Sequence, residues 1–371
     1  MKIPEYNFCV CDRQTLLQSI SAITADYRAG QIAAITPAHV DTWVRQFQQF
    51  NFDEQHQLII LGEMERILKR FYISRETAIR FVQGIIANQQ IFGADPRAGV
   101  AGTKFLRIQR KGNSQNELLD LMAEAVEEQY GFSLDDCGEN PTRYLYFDDC
   151  IYSGNTIAHN LDDWFPQANQ GVPVTTLTFA LHSIGISRLY RVKQKFLREK
   201  GIQLECRAPR ALQLKNNPSR DGNFSECYWP REIAGFNEAN EYVAELRRRR
   251  DGQQPGPRLF RPNGNPYREE IFSSADARDN IEYAFLRAGL HIMSLPQNAN
   301  QHMRPMGYEY LESLGFGALP VFYRNISNNA PLALWWGDPN EGYPLNQWRP
   351  LFLRRPNEPG CLPIIMPELE P

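Results

Sequence analysis

The sequence has no run approaching the ~18 consecutive apolar residues of a membrane span, and its first residues, MKIPEYNFCVCDRQ, contain no apolar leader core. These absences predict a chain that neither crosses a membrane nor is exported, and so a cytoplasmic location. Cysteine pattern is also lacking. Seven cysteines lie scattered, none in a C-x-x-C arrangement, and Cys9-x-Cys11 is too tight, without neighbouring histidines, for structural zinc. They read as reduced thiols. Charge of one sign is missing as well: 40 Lys plus Arg face 43 Asp plus Glu, which neither requires nor excludes a nucleic-acid partner and makes any basic patch local. No internal repeat or low-complexity tract is visible. What is present is an ordinary globular composition, 42% hydrophobic over 371 residues, enough for one large or two ordinary domains.

Along the chain, residues 1 to about 92 read as helical. Leu16, Leu17, Ile20 and Ile23 recur at helical spacing, and Thr36 followed by Pro37 reads as an N-cap with proline at the first helical position. Two more helices follow, one carrying Leu58 to Leu68 and one capped by Ser74. The turn-rich stretch GADPRAG at 93–99 ends this region. The period then changes. KFLRIQ at 104–109 alternates like a strand, RKGNSQ follows as a polar glycine turn, and NELLDLMAEAVEEQYG at 116–131 carries Leu118, Leu119, Met122 and Val126 on one helical face. The same order repeats: a strand at 144–147, a loop at 148–156 and a helix to about 165. A strand at 172–182, a basic helix at 186–201 and a strand from 202 complete the pattern. Strands alternating with helices predict a parallel sheet with right-handed crossovers. Beyond 208 the pattern loosens. The stretch 247–270 reads as a long loop, its four arginines as a solvated helix end. Ser274 reads as the cap of another helix, and 317–337 as two strands joined by an Asn-Ile-Ser-Asn-Asn turn.

The stretch RYLYFDDCIYSGNTI at 143–157 carries the chemistry. Parallel α/β sheets bind ligands at the carboxyl ends of their strands, where Asp148 and Asp149 are expected. Paired carboxylates suit a ligand with several hydroxyls, such as a ribose diol, or a cation. Ser153, Gly154, Asn155 and Thr156 then offer backbone N–H groups, two hydroxyls and a helix N-terminus, an anion cradle that fits a phosphate. The earlier turn supplies Lys111 for charge, Gly112 for close backbone approach, and Asn113, Ser114 and Gln115 as donors at a helix start. His182, ending the third strand, lies on the same edge. Phe316, Tyr323, Arg324, Asn325, Trp335 and Trp336 combine aromatic faces with an amide edge that suits a planar heterocycle.

YLYFDDCIYSGNT resembles the phosphoribosyl-pyrophosphate signature of the type I phosphoribosyltransferases, with Tyr152 standing where a small hydroxyl residue is common. That resemblance implies Asp148 and Asp149 on the 2- and 3-hydroxyls and Tyr152, Ser153, Gly154, Asn155 and Thr156 on the 5-phosphate. It also implies residues 111–115 on the pyrophosphate and Mg²⁺ brought in by that pyrophosphate. Together with the helical leader and the distal FGALPVFYRNISNNAPLALWW, the chain is similar to the bacterial PRTase-CE family of conflict and defence operons, including some retron systems. The fold implied is an α/β phosphoribosyltransferase-like core at 100–215, between a helical region at 1–99 and a C-terminal α+β hood or acceptor region at 216–371. Phosphoribosyl pyrophosphate is the implied partner, with a defence-operon protein or nucleic acid as further partners and no membrane.

The chain departs from that family pattern in one respect. The stretch between Gly112 and Asp148 is too short for both an extra strand and a long mobile flap, so a water-excluding lid has to come from 210–270 or from the C-terminal hairpin. Three functions stay open: ribosyl 5-phosphate transfer to an acceptor, hydrolysis by an effector of the same fold, and metabolite sensing without catalysis. In the first, Lys111 and the loop amides stabilise the departing pyrophosphate, and Asp149 binds the diol, with steadying charge on the ring or acting as a base for the acceptor as alternatives.

Overall fold

Residues 103–207 alternate strand and helix, and the sheet they form is parallel throughout. The computed structural model describes residues 12–109, 114–208, 212–214, 225–232, 237–250 and 258–354. The N-terminal helices are α1 (Arg13–Ile23), α2 (Pro37–Arg45) and α3 (Glu54–Phe71). A two-residue strand, β1 (Tyr72–Ile73), leads into α4 (Arg75–Ile86), with the short α5 (Gln89–Phe92) and α6 (Pro96–Ala101) after it. Both sequence-predicted caps are in place: Thr36 Oγ1 accepts from the His39 N–H at 3.2 Å and Ser74 Oγ from the Thr77 N–H at 3.1 Å.

The core sheet comprises β2 (Thr103–Phe105), β3 (Arg143–Ile151), β4 (Val174–His182) and β5 (Leu204–Arg207) in that spatial order, with β6 (Leu212–Leu214) extending the far side of β4. The crossovers are α7 (Ser114–Tyr130), α8 (Asn155–Trp164) and α9 (Ser183–Lys200). Strand alternation sorts the layers. Leu145, Phe147, Leu177 and Phe179 pack with Phe81, Val82 and Ile85 of α4 and Leu118 and Met122 of α7. Tyr144, Tyr146, Val174 and Leu204 pack with Ile157 and Leu161 of α8 and Leu189 and Phe196 of α9.

Two boundaries differ from the sequence reading. The strand expected to continue through 109 stops at Phe105, because the Ile108 and Gln109 N–H groups donate to Gln115 Oε1 at 2.7 and 3.0 Å. Conversely β3 runs to Ile151, so both aspartates lie within it. Pairing of Asp148, Cys150 and Ile151 with Thr178, Ala180 and Leu181 on β4 outweighs the weak strand preference of aspartate.

The C-terminal part contains α10 (Asn237–Arg250), α11 (Ala275–Ser294) capped by Ser274 as expected, the hairpin strands β7 (Val321–Phe322) and β8 (Asn325–Ile326), and α12 (Leu332–Trp335). The run of arginines at 247–250 ends α10, and residues 251–257 of the expected long loop lie outside the described residues. The two strands expected in 317–337 are replaced by a tighter hairpin turning at Tyr323 and Arg324. Leu332–Trp335, expected as the second strand, is helical. β7 also pairs in parallel with β1. Residues of α1–α3 share one hydrophobic cluster with α11, α12 and Trp348 to Phe352, so the N-terminal helices and the C-terminal part pack as a unit. Within it, Glu282 joins Arg261 at 3.0 Å and Arg278 at 2.8 Å, all three fully or nearly fully buried.

Candidate active site

Asp148 and Asp149 are neighbours in sequence and point to different layers. Asp148 continues the face of Tyr146, whose hydroxyl donates to Asp148 Oδ2 at 3.2 Å. Asp149 belongs with Phe147 on the opposite face, where Arg324 and Glu117 of α7 meet it. The strand pleat thereby separates two like charges that a loop would have left side by side.

Asp148 is almost fully buried. Its Oδ1 accepts from Ser114 Oγ and from the Asp149 N–H, both at 2.9 Å. Asn160 Nδ2 donates to Tyr146 Oη at 3.0 Å, and Gln109 Nε2 to Ser114 Oγ at 2.8 Å, extending a network around the carboxyl. Burial first, and the charge of Asp149 second, push the Asp148 carboxyl up to about 7. Asp149 Oδ1 accepts from the Cys150 N–H at 2.6 Å, and Oδ2 takes Arg324 Nη2 at 2.6 Å. Arg324 Nη1 lies 3.3 Å from Glu117 Oε2. Burial alone would drive the guanidinium toward neutrality; the charges of Asp149, Asp148 and Glu117 outweigh it and keep Arg324 a cation.

The cradle expected at 152–156 forms a turn into α8. Gly154 occupies the N-cap at φ +78°, and no side chain caps the helix. The Asn155 N–H reaches Ser153 Oγ at a long 3.4 Å. Donors of the first turn are thus left for a ligand or solvent. A Cβ on Gly154 would sit 2.7 Å from the Gly185 carbonyl oxygen, so the turn is braced directly on the start of α9. Ser153 and Asn155 are half-buried and Thr156 is exposed. Tyr152 is placed otherwise: its ring is buried against His182 and Phe316, leaving the backbone as its contribution to the turn.

Of the earlier loop, Lys111, Gly112 and Asn113 lie outside the described residues. Ser114 binds Asp148, which links the start of α7 to the acid pair. Gln115 is fully buried and shapes the loop entry: its Oε1 holds two N–H groups, and Gln109 Oε1 accepts its own N–H at 2.8 Å. Gln115 Nε2, Thr178 Oγ1 and Arg324 Nε have no partner among the described residues. Three polar atoms from the elements around the acid pair are therefore uncommitted, the pattern expected of a site for a polar ligand. Among the described residues no group of three or more His, Cys, Asp or Glu side chains could hold a metal ion, and a guanidinium stands on Asp149.

The expected acceptor residues divide. Phe316 packs beside Tyr152, whereas Trp335 donates its indole N–H to the Ala330 carbonyl at 2.7 Å and carries Arg354 over its ring, as a core residue does. Trp336 is likewise buried in the large cluster. Sequence reasoning missed Tyr146, Asn160 and Glu117. Tyr146 was within reach, since i and i+2 share a strand face; Asn160 and Glu117 carried no signal. A cavity of about 470 Å³ between α9 and the edge of β5 shares no lining residue with the acid pair.

A parallel sheet with an acid pair and a glycine-held helix start at its carboxyl edge defines a phosphoribosyltransferase-like α/β protein. The chain belongs to the PRTase-CE family, whose match spans residues 40–354, and the family name indicates a phosphoribosyltransferase-like function. No curated protein and no solved structure matches the chain. No helix among the described residues is long and apolar enough to cross a membrane.

Proposed function

We propose that the chain binds phosphoribosyl pyrophosphate at the carboxyl edge of β3 and transfers its ribosyl 5-phosphate group to an acceptor, as an effector within a defence operon. The observation that carries this reading is the direct coupling of the three parts such a ligand needs. Ser114, at the start of α7, is bonded to Asp148; Asp149 lies one residue on; and the uncapped start of α8 follows the short turn after β3. The acid pair takes the ribose hydroxyls, the N–H groups at Ser153 to Thr156 take the 5-phosphate, and the loop at 111–115 takes the pyrophosphate. Mg²⁺ carried by the pyrophosphate would supply charge neutralisation for that leaving group, and no side chain among the described residues is assigned to hold it. For the diol to reach Asp149, the Arg324 ion pair gives way, and the freed guanidinium remains available to an anionic oxygen of the ligand. Catalysis in this reading is positioning and charge stabilisation. An operon-encoded protein or nucleic acid is the partner it implies.

The test is a calorimetric titration with phosphoribosyl pyrophosphate and Mg²⁺, alongside pyrophosphate release. Asp148→Asn combined with Asp149→Asn is expected to weaken binding about 100-fold, the loss of two charge-assisted hydrogen bonds, without loss of the folded state by circular dichroism. Equal affinity of the double variant and the parent would refute the assignment.

A further inference from the structure

Tyr146 of β3 is fully buried and Asn160 of α8 nearly so, and their polar groups are joined to one carboxyl. The phenol donates to Asp148 Oδ2 at 3.2 Å and accepts from Asn160 Nδ2 at 3.0 Å. The other carboxyl oxygen is already filled: Oδ1 accepts from Ser114 Oγ and from the Asp149 N–H, both at 2.9 Å. A carboxylate has about four acceptor positions, two on each oxygen. Three donors leave one position open, and it lies on Oδ2 beside the phenol. Thr178, in register with Asp148 on β4, is fully buried and its Oγ1 has no partner among the described residues, a second polar atom left open at this level of the sheet. An aspartate serving only to hold Ser114 needs neither Tyr146 nor Asn160; phenylalanine and leucine would fill their places without burying polar atoms.

We propose that Tyr146 and Asn160 are positioning residues for ribose recognition: they fix the Asp148 carboxyl so that Oδ2 presents one acceptor to one ribose hydroxyl, and a proton competes for that place. The proposal rests on the phosphoribosyl reading above and assigns the state of its diol-binding acid. A proton on Oδ1 would displace one of its two donors, so proton and hydroxyl contend for the same lone pair of Oδ2. The proton is there near neutrality, because burial and the neighbouring Asp149 hold the carboxyl up to about 7. The phenol, raised well above its ordinary value by burial, stays a donor throughout. Facing the two aspartates is Arg324 from the β7 and β8 hairpin, shared with Glu117 of α7. From α8 and β4 come Asn160 and Thr178, neither of them ionisable. A donated O–H favours the ionised carboxylate, and Asn160, donating to the phenol oxygen, strengthens that donation. Bonds of this kind shorten when the acceptor is charged, so the 3.2 Å contact tightens as the proton leaves. Taking up the hydroxyl therefore expels one proton from Oδ2 to solvent. The same chain of bonds ties the diol-binding acid to α8, the helix that the phosphate turn begins.

The experiment is a ¹³C NMR pH titration of the Asp148 carboxyl in aspartate-labelled protein, its signal assigned by its loss in Asp148→Asn, with and without phosphoribosyl pyrophosphate and Mg²⁺. Calorimetric affinities are measured alongside, from about pH 5.5 to about pH 8.5. In the parent protein the ligand is expected to lower the Asp148 midpoint by at least about one pH unit, and a midpoint that the ligand leaves unchanged overturns the proposal. In ligand-free Tyr146→Phe the midpoint should rise by about one unit, the effect of one hydrogen bond to a charged group, and in Asn160→Leu it should rise by less. The affinity of Tyr146→Phe is expected to fall about tenfold near pH 6.5 and to recover toward the parent value near pH 8.5. Ionisation of the ligand's own phosphates is common to all samples and cancels in the comparison. Midpoints equal to the parent's in both variants overturn the proposal, and so does an affinity loss of the same size at every pH, which is what a structural role alone gives. The parent protein's own titration decides the matter if a variant fails to fold. Absence of ligand binding by the parent at every pH removes the phosphoribosyl reading and this proposal with it, whereas binding with unshifted midpoints removes this proposal alone.

Discussion

Asp148 and His182 are both buried at the carboxyl edge of the sheet, and burial acts on them with opposite sign. The Asp148 carboxyl rises from 3.8 to about 7, so between those values the folded chain keeps a proton that the unfolded chain has released, and stability falls as pH rises. The His182 imidazole drops from 6.5 to about 3, so in that window the unfolded chain holds the extra proton, and stability rises with pH. Each slope is about 1.4 kcal/mol per pH unit, and from pH 4.5 to 6.5 they oppose one another. Relative to the parent, His182→Phe is expected to become less stable as pH rises through this window, and Asp148→Asn more stable. Urea unfolding at several pH values measures both. Parallel profiles for all three proteins would contradict the burial argument.

The turn from β3 to α8 is the element on which the proposed phosphate contact depends. Gly154 needs its positive φ and also has no space for a methyl group, whereas Gly131, at φ +75° after α7, has nothing within 4 Å of where a Cβ would stand. Gly131→Ala is therefore expected to cost about 1 kcal/mol of stability through φ strain alone and to leave ligand binding unchanged. Gly154→Ala meets the Gly185 carbonyl as well, so it is expected to cost about 2 kcal/mol or more and to weaken phosphoribosyl pyrophosphate binding. Comparing the two variants by unfolding and titration separates strain from contact. Similar losses in both would mean that the close approach to Gly185 is unimportant.

Across the whole molecule, the acid pair is completed from 175 positions away, by Arg324 at the tip of the β7 and β8 hairpin. The N-terminal helices make that reach possible. β1 pairs with β7, the Arg28 N–H donates to the Tyr323 carbonyl at 2.5 Å, and Tyr27 Oη accepts from the Ile326 N–H at 3.3 Å. Removing one member of a buried ion pair strands the other, so Arg324→Ala and Asp149→Ala are each expected to destabilise by about 3 kcal/mol. Their double variant should lose less than the sum, with a coupling of about 1–3 kcal/mol. A double-mutant cycle by chemical denaturation measures it, and strict additivity would remove Arg324 from the site.

Short-range chemistry was legible in the chain. The caps at Thr36, Ser74 and Ser274, the order of helices and strands in the core and the glycine turn at Gly154 each depend on residues within a few positions of one another, where propensity and hydrogen bonding act locally, and the parallel sheet followed from that order. Even Tyr146 followed from the pleat. Folding in three dimensions alone decided which partners meet Asp148 and Asp149 on their two faces, that Tyr152 turns inward toward His182, and that 321–326 makes a tight hairpin. The pairing at Asp149 depends on long-range packing of the N-terminal helices and β1 with the C-terminal part, which brings a guanidinium to a carboxylate that no local pattern could pair with it.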